Sequence, residues 1–219
     1  MRSEGVHARN CNICGFVGYF KFFGWPLRFD ACCPQCGSLE RHRLFKLWLA
    51  ENVAQIENRR ILHLAPEACV TNLLKPLARH YTTADILPGR ADRLLDIENV
   101  DLESASMDVV ICSHVLEHVD DRKALAELRR ILRPGGMAIL LVPIAEGWSA
   151  TFEDCTITTP EDRALYFGQH DHVRFYGADF RDRVRKAGFT LTEFTAFEPF
   201  VSRHGLIRGE KIFLARCPD

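Results

Sequence analysis

Two short cysteine motifs stand near the start of the 219-residue chain. Each is a C-x-x-C-G turn, in which two thiolates point at one place and the glycine permits a tight backbone path. Two such turns complete a four-sulfur metal site. Structural zinc is the expected metal, iron is the alternative, and a pair of buried free-thiol turns is the explanation without metal. The C-P-x-C spacing favours Cys33 over its neighbour Cys32, so the predicted ligands are Cys11, Cys14, Cys33 and Cys36.

Histidines cluster in two further stretches of the sequence. The first, residues 114–118, reads H-x-x-E-H, which is the spacing of an inverted zinc-protease motif. That motif belongs inside a long helix, whereas here it directly follows a buried strand, which argues against a protease. The second stretch, residues 170–172, reads H-D-H and suggests metal, but the sequence offers it no second ligand cluster. Because imidazole titrates near neutral pH, these stretches supply three candidate bases, His118, His170 and His172.

The elements around the first histidine stretch are a strand, a helix and a second strand. Residues 107–112 are a short apolar run of the kind that a parallel sheet buries on both faces. The following helix is expected to end at the R-P-G-G sequence of residues 133–136, and residues 137–142 form the next strand. Ligands collect beyond the carboxyl ends of such strands, which places Ser113 and His114 at a binding edge. A structural histidine is the alternative for His118.

Further elements of the same sheet are predicted on both sides. Strands are expected at residues 60–64, 81–85 and 94–97, with a helix at 70–79 after the first of them. A helix at 178–187 precedes two last strands, at 189–197 and 211–216. Asp85 lies about twenty residues beyond the first loop, the distance at which Rossmann-type domains place an acid that binds ribose hydroxyls. A turn-forming aspartate is the alternative.

The strings D-V-V-I-C-S-H-V-L-E-H-V and A-L-A-E-L-R-R-I-L-R-P-G-G resemble class I S-adenosylmethionine (SAM) dependent methyltransferases, in particular the type 11 branch. This resemblance implies an α/β fold with a Rossmann-like sheet of seven strands, the last antiparallel, and SAM as the cofactor. It extends from about residue 56 to the carboxyl end. The strings C-P-x-C-G-S-L-E-R-H-R, H-L-A-P-E and F-G-Q-H-D-H-V-R are similar to one zinc-headed subgroup.

The loop after the first strand departs from the family pattern. His63 stands where an acid is expected, and Ala65, Glu67 and Cys69 stand where glycines are expected. A subset of the family resembles this H-L-A-P-E form, which implies that Glu67 meets the aminoacyl ammonium group of SAM. The resemblance implies a cofactor-binding set of His63, Ala65, Pro66, Glu67, Asp85, Ile86, Asp96, Ile97, Ser113 and His114.

Within this set, Asp96 is expected to accept a hydrogen bond from the adenine amino group, and Ile97 to flank the adenine ring. A surface aspartate is the alternative for Asp96. The predicted domains are a zinc ribbon at residues 1–38, a linking helix at 39–58, and a methyltransferase domain at 59–219 with a lid at 145–176.

Composition sets limits on partners and location. A hydrophobic content of 47% allows one good core and a small appendage. The net charge of −1 argues against nucleic-acid and membrane partners. Up to Arg60 the chain has nine Lys and Arg against five Asp and Glu, which indicates either a modest basic head or, more commonly, a solvated surface. The chain shows no membrane-length apolar run and no signal-peptide core, and its nine cysteines favour a reducing compartment. A soluble, cytoplasmic protein is therefore expected.

The sequence predicts a SAM-dependent methyltransferase that acts on an oxygen or nitrogen atom of a small-molecule or sugar-like acceptor. One alternative is a ribosomal RNA methyltransferase with a zinc ribbon ahead of this fold. Another is a non-catalytic interaction module that combines the ribbon with a degenerate methyltransferase scaffold. The sequence identifies neither the acceptor nor the oligomeric state.

Overall fold

The computed structural model describes residues 4–219. The strands in chain order are β1 (Glu4–Asn10), β2 (Val17–Phe23), β3 (Arg28–Cys32), β4 (Arg60–Leu64), β5 (His80–Asp85), β6 (Arg93–Leu94), β7 (Met107–Ser113), β8 (Leu132–Leu141), β9 (Phe152–Glu153), β10 (Arg174–Phe175), β11 (Thr190–Thr195) and β12 (Lys211–Arg216). The α-helices are α1 (Glu40–Asn52), α2 (Ala68–Leu74), α3 (Asp121–Ile131), α4 (Pro160–Phe167), α5 (Phe180–Lys186) and α6 (Phe200–His204). Two short 3-10 helices cover Val53–Gln55 and Leu116–His118.

Seven strands form one sheet in the order β11-β12-β8-β7-β4-β5-β6. Neighbours from β8 to β6 run parallel, whereas β12 pairs antiparallel with β8. This arrangement confirms the predicted fold class, a Rossmann-like sheet of seven strands with the last strand antiparallel. The order reverses between β4 and β7, so the carboxyl ends of these two strands flank the place where such sheets bind ligands.

The core on one face of this sheet follows from the sequence pattern. Alternate residues of β4 and β7, such as Leu62 and Val110, pack in one cluster with Leu125 and Leu128 of α3. Helix α3 begins where the Asp120 side chain accepts hydrogen bonds from two exposed backbone amides. Apart from the buried Asp121, its charged residues lie on the opposite side and are exposed or half-buried, so α3 is a surface helix that covers the sheet.

Some element boundaries differ from the sequence prediction. Helix α2 is shorter than predicted and ends at Leu74, and the third strand is confined to Arg93–Leu94. The turn sequence expected to end the central helix lies inside β8, which begins at Leu132. There Gly135 N donates to Cys217 O and Cys217 N donates to Gly136 O, at 3.1 and 2.9 Å. These hydrogen bonds extend the pairing beyond β12 and hold the glycines in the sheet.

The chain divides into two compact units. Of the described residues, the first unit comprises 4–57, 67–77 and 193–212, and the second comprises 58–66, 78–192 and 213–219. In the first unit, β1, β2 and β3 form an antiparallel sheet, and the fully buried Arg43 donates to the backbone carbonyls of Ala31, Ser38, His204 and Gly205. The predicted domains at 1–38, 39–58 and 59–219, with the lid at 145–176, stay a prediction.

The second unit holds most of the large sheet and a two-stranded sheet in which β9 pairs with β10. Within residues 4–219, none of the helices is both long enough and apolar enough to cross a membrane.

Candidate functional site

Ala65 follows the last residue of β4 at the switch point of the large sheet. Its backbone φ is +46°, and its amide donates to Ala84 O at 2.8 Å. This is the left-handed region, which glycine enters freely and which costs an alanine about 1–2 kcal/mol. The loop thus has a left-handed residue at the position where the family pattern expects its first glycine.

His63 lies inside the sheet. Its side chain is fully buried, and its Nδ1 is 2.6 Å from the Tyr81 hydroxyl oxygen. The two rings meet nearly edge to face, at 74°. His63 therefore packs against the neighbouring strand β5, and its predicted contact with the cofactor stays a prediction.

Glu67 is bound by the first turn of α1 within the first unit. Its Oε1 accepts hydrogen bonds from the Arg41 guanidinium and lies 2.8 Å from His42 Nε2. Burial by itself raises the pKa of Glu67, but the hydrogen bond from His42 and the charge of Arg41 lower it well below its usual range. Cys69, where the family pattern has its third glycine, donates weakly to Cys36 O at 3.6 Å. Both departures from glycine thus supply contacts inside the first unit.

The end of β5 presents a carboxylate and an exposed aliphatic side chain. Asp85 Oδ1 accepts from Leu87 N at 2.8 Å, and its Oδ2 has no partner among the described residues. Ile86 is 62% exposed. The two predicted adenine-binding residues after the third strand lie in different environments. Asp96 is exposed and accepts a hydrogen bond from Glu98 N, whereas Ile97 is buried in the core.

A second residue with left-handed backbone that is not glycine directly follows β7. Ser113 is buried, and His114 follows it with a φ of +54°. His114 Nδ1 lies 3.1 Å from Oε1 of Glu117, a carboxylate that is fully buried. Backbone of this kind is often found at functional sites, because only the surrounding structure can hold it.

The three candidate bases differ in environment. His118 and His172 pack edge to face with ring centroids 4.7 Å apart, whereas His170 is exposed. Nδ1 of the buried His172 donates to Phe167 O at 3.1 Å. Burial lowers the pKa of His172, so this imidazole stays neutral at physiological pH. His118 Nδ1 is 3.3 Å from Asp171 Oδ2.

Arg174 and Tyr176, which follow the second histidine stretch, make hydrogen bonds within the fold. The buried Arg174 donates to Leu116 O at 2.8 Å, and the buried Tyr176 hydroxyl donates to the same carbonyl at 3.1 Å. Burial raises the pKa of Tyr176, and the nearby Asp121 raises it further. The signal that the sequence analysis missed is the acidic partner Asp121, which lies at the start of α3.

The four predicted metal ligands meet in the first unit, with ligand atoms that all lie within 4.8 Å of one another. The sulfur atoms of Cys11 and Cys36 are 3.6 Å apart, and those of Cys14 and Cys33 are 3.7 Å apart. A tetrahedral site with Zn–S bonds of about 2.3 Å separates its sulfurs by about 3.8 Å, so this group fits zinc.

The thiols of this cluster have different acidities. Burial raises the pKa of Cys11, but hydrogen bonds from the Ser38 hydroxyl and nearby backbone amides lower it to about 7. Burial raises the pKa of Cys33 to about 12.

Residues 69–140 match the sequence model of a family described as "Methyltransferase domain". This stretch of the chain is similar to a methyltransferase domain. This match confirms the family resemblance drawn from the sequence, and the predicted enzyme class, a methyltransferase, agrees with it. A curated relative, the "Uncharacterized 37.1 kDa protein in transposon TN4556" of Streptomyces fradiae, is 37% identical over 73 residues. These cover 33% of this chain and only 21% of that protein.

Solved structures share the fold of the methyltransferase domain at low sequence identity. A SAM-dependent methyltransferase from Mesorhizobium loti is 15% identical with a TM-score of 0.57, covering 79% of this chain and 97% of its own. The 1,6-didemethyltoxoflavin-N1-methyltransferase of Burkholderia thailandensis is 16% identical with a TM-score of 0.53, covering 79% and 82%. The [4+2]-cyclase SpnF, 14% identical with a TM-score of 0.53 and the same two coverages, shows that this fold also hosts other chemistry.

Proposed function

We propose that the chain transfers a methyl group from SAM to an oxygen or nitrogen atom of a small-molecule or sugar-like acceptor. The observation that carries this proposal is the shared edge of three adjacent strands. Strand β5 ends at Asp85, and Ala65 and His114 directly follow β4 and β7. These three strands lie side by side around the switch point. Polar groups at this edge of a parallel sheet are positioned to bind one ligand.

The residues at this edge fit the adenosine part of SAM. Asp85 has an open carboxylate oxygen for the ribose hydroxyls, and the exposed Ile86 offers an apolar surface to the adenine ring. The left-handed backbone at Ala65 brings a main-chain segment close to the ligand without glycine. Ser113 and His114 border the methionine end in this arrangement, and Asp96 stays a candidate for the adenine amino group.

SAM supplies an electrophilic methyl group, so the protein mainly has to align the acceptor, and positioning of this kind lowers barriers by several kcal/mol. An oxygen acceptor also needs a group that takes its proton, for which His118, His170 and His172 are the candidates. The segment 145–176 carries the exposed aromatic side chains Trp148, Phe152 and Tyr166, which suit an organic acceptor. The N1-methyltransferase of Burkholderia thailandensis, by its name, acts on a small molecule, which agrees with this class.

We also propose that Cys11, Cys14, Cys33 and Cys36 hold a structural Zn²⁺ ion, supported by sulfur separations of 3.6 and 3.7 Å. All nine cysteines are free thiols in the structure, which supports a reducing, cytoplasmic location.

Titration calorimetry with SAM and with S-adenosylhomocysteine tests the cofactor. We expect both to bind, and we expect Asp85→Asn to weaken binding by about 10–100-fold, because a hydrogen bond to a charged group is lost. Asp101→Asn, an exposed aspartate outside the predicted set, is the matched control and should bind normally. A folded wild-type protein that gives no heat with either compound would leave only the non-catalytic interaction module.

A further inference from the structure

A second cluster of metal-binding groups lies in the methyltransferase domain, apart from the cysteines. One ligand atom from each of Glu117, His118 and His172 lies within 4.8 Å of the other two. We propose that these three side chains bind a divalent transition-metal ion such as Zn²⁺ or Fe²⁺. Two imidazoles and one carboxylate are a ligand set that proteins use for these ions.

The carboxylate of Glu117 provides an independent reason to expect a cation. Glu117 is fully buried, and its Oε2 has no hydrogen-bond partner among the described residues. Its other oxygen, Oε1, lies 3.1 Å from His114 Nδ1. A buried charge without a partner is costly unless it is paired or bound to a metal. A divalent ion would complete the environment of Oε2.

The imidazole of His172 is held by a hydrogen bond as metal ligands usually are, and that of His118 lies near a carboxylate. His172 Nδ1 donates to Phe167 O at 3.1 Å, and His118 Nδ1 is 3.3 Å from Asp171 Oδ2. Metal-binding histidines commonly donate one ring N–H to a carbonyl or carboxylate, which fixes the tautomer and leaves the other nitrogen for the ion. In each ring here Nε2 is that other nitrogen.

Backbone and side-chain hydrogen bonds fix the two segments that supply the ligands. Val173 N donates to Glu117 O at 2.9 Å, directly beside His172. Arg174 and the Tyr176 hydroxyl both donate to Leu116 O. Ligands on segments tied together in this way stay in place when the ion is absent, which favours tight binding.

The site draws on both histidine stretches but follows neither sequence motif. Glu117 and His118 belong to a short 3-10 helix, so H-x-x-E-H does not place its three residues on one face of a long helix. His114 instead contacts Glu117, and His170 of the second stretch is exposed. Neither stretch has a ligand partner nearby in the sequence, because only the fold brings the two stretches together.

Three protein ligands leave coordination positions open. A divalent ion there could bind a hydroxyl oxygen of the acceptor and lower its pKa, which makes it a better nucleophile. This last point rests on the proposed methyl transfer, whereas the metal site itself does not.

The test is the zinc content of the full-length protein after loading with Zn²⁺ and dialysis, measured by elemental analysis. We expect about two ions per chain, one at the cysteines and one at the new site. Glu117→Gln keeps the side-chain shape and should reduce the content to about one, as should His118→Gln, which changes a partly exposed residue. Circular dichroism checks that both variants fold. His170→Gln, in the same segment, is the matched control and should retain both ions.

Cobalt identifies the ligands of the second ion. Added to protein whose cysteines already hold zinc, Co²⁺ should give a visible spectrum without a sulfur-to-metal charge-transfer band, and this spectrum should be absent in folded Glu117→Gln protein. A wild-type content of one zinc ion would overturn the proposal, as would a thiolate spectrum or an equal loss in His170→Gln. Calorimetry with S-adenosylhomocysteine is read separately, so failure of the metal site and failure of the cofactor proposal are distinguishable.

Discussion

Ala65 and His114 directly follow the neighbouring strands β4 and β7 at the switch point. Both have left-handed backbone, with φ values of +46° and +54°. Each costs conformational free energy that a glycine would not. Because such backbone persists only where the surroundings hold it, both residues indicate that the edge has a fixed shape before any ligand binds.

Replacing Ala65 with glycine should stabilise the protein. The left-handed conformation costs alanine about 1–2 kcal/mol, and the greater flexibility of unfolded glycine offsets about 0.5–1 kcal/mol of the gain. We therefore expect Ala65→Gly to raise the free energy of unfolding in urea by up to about 1 kcal/mol. Ala164→Gly, inside helix α4, should instead lower it by about 1 kcal/mol. Equal losses in both variants would contradict the left-handed assignment.

Ser38 should contribute to zinc affinity without being a ligand. Its hydroxyl oxygen is fully buried, 3.3 Å from Cys11 Sγ and 3.2 Å from Cys36 Sγ. Loss of groups that hydrogen-bond to metal ligands commonly weakens binding 10–100-fold, and we expect Ser38→Ala to do so in competition with a chelator. Ser106→Ala, whose hydroxyl binds Glu103 O, should leave zinc affinity unchanged.

Residue types and spacing predicted the cysteine ligands, because four thiols in two identical turns allow few other roles. They could not show that His63 faces Tyr81 or that Ile97 enters the core. Strands buried on both faces lack an alternating pattern, so their sequence does not indicate which face a side chain joins.

At the scale of elements, an ion-pair network that includes the buried Asp121 and Arg174 joins α3 to α5, β9 and β10. Asp121, at the start of α3, accepts a hydrogen bond from Arg183 at 3.1 Å, and its Oδ2 also lies 3.1 Å from the Tyr176 hydroxyl oxygen, whose single proton is shared with Leu116 O. Glu153 of β9 binds the same arginine and also Arg174. The hydrogen bond from Arg183 lowers the pKa of Glu153, so the network keeps its charges at neutral pH.

Breaking this network should cost far more than breaking the adjacent helix cap. Asp121→Asn leaves buried guanidinium groups without their full charge partner, and we expect a loss of about 3–5 kcal/mol in urea unfolding. Asp120→Ala removes only the capping hydrogen bonds and should cost about 1 kcal/mol. Similar losses from the two neighbours would show that the network contributes little.

Glu127 should make stability depend on pH. Its hydrogen bonds from Arg130 lower its pKa in the folded state. A carboxyl group with a lowered folded pKa stabilises the protein above its unfolded pKa of about 4.3, and this contribution is lost as the pH falls. Glu127→Gln should therefore have a free energy of unfolding about 1 kcal/mol below that of the wild type at pH 7, and this difference should shrink below about pH 4. Glu103→Gln, at an exposed position, should have the same free energy of unfolding as the wild type at both pH values.

Hydrophobic periodicity predicted the order and type of the sheet elements well, but their ends less well. Helix α2 stops at Leu74 because the residue before a proline, here Lys75 before Pro76, disfavours helix. Strand β8 includes Gly135 and Gly136, which hydrogen-bond to the distant Cys217. Gly135 has a left-handed backbone and the register between β7 and β8 shifts here, so the predicted turn is present as a bulge that hydrogen-bonds to Cys217.

At the scale of the whole molecule, the chain forms two units that are each assembled from separate stretches of sequence. Residues 67–77 follow β4 yet belong to the first unit, where Glu67 and Cys69 make their contacts. The sequence could not predict this, because a contact between Arg41 and Glu67 leaves no local pattern.

Removal of zinc should unfold the region that the cysteines hold together. Small cysteine-ligated units depend on their metal for folding. After chelation at neutral pH, we expect trypsin to cut first at Lys21 and Arg28, in β2 and β3, at least about tenfold faster than in the zinc-loaded protein. Restoring Zn²⁺ should reverse the effect. Equal cleavage rates with and without zinc would mean that β1, β2 and β3 stay folded without the metal.

The long connection between β8 and α5 is closed at its base, since Ala145 N donates to Tyr176 O and Ala178 N donates to Trp148 O. Gly177 fits there because a larger residue would collide with Ala150 O, 2.5 Å from the place of its Cβ. With both ends fastened, the exposed turn at residues 154–159 can change length at little entropic cost. A fluorescent reporter or an affinity tag spliced into this turn should leave the enzyme's architecture intact, which gives engineers an internal fusion point.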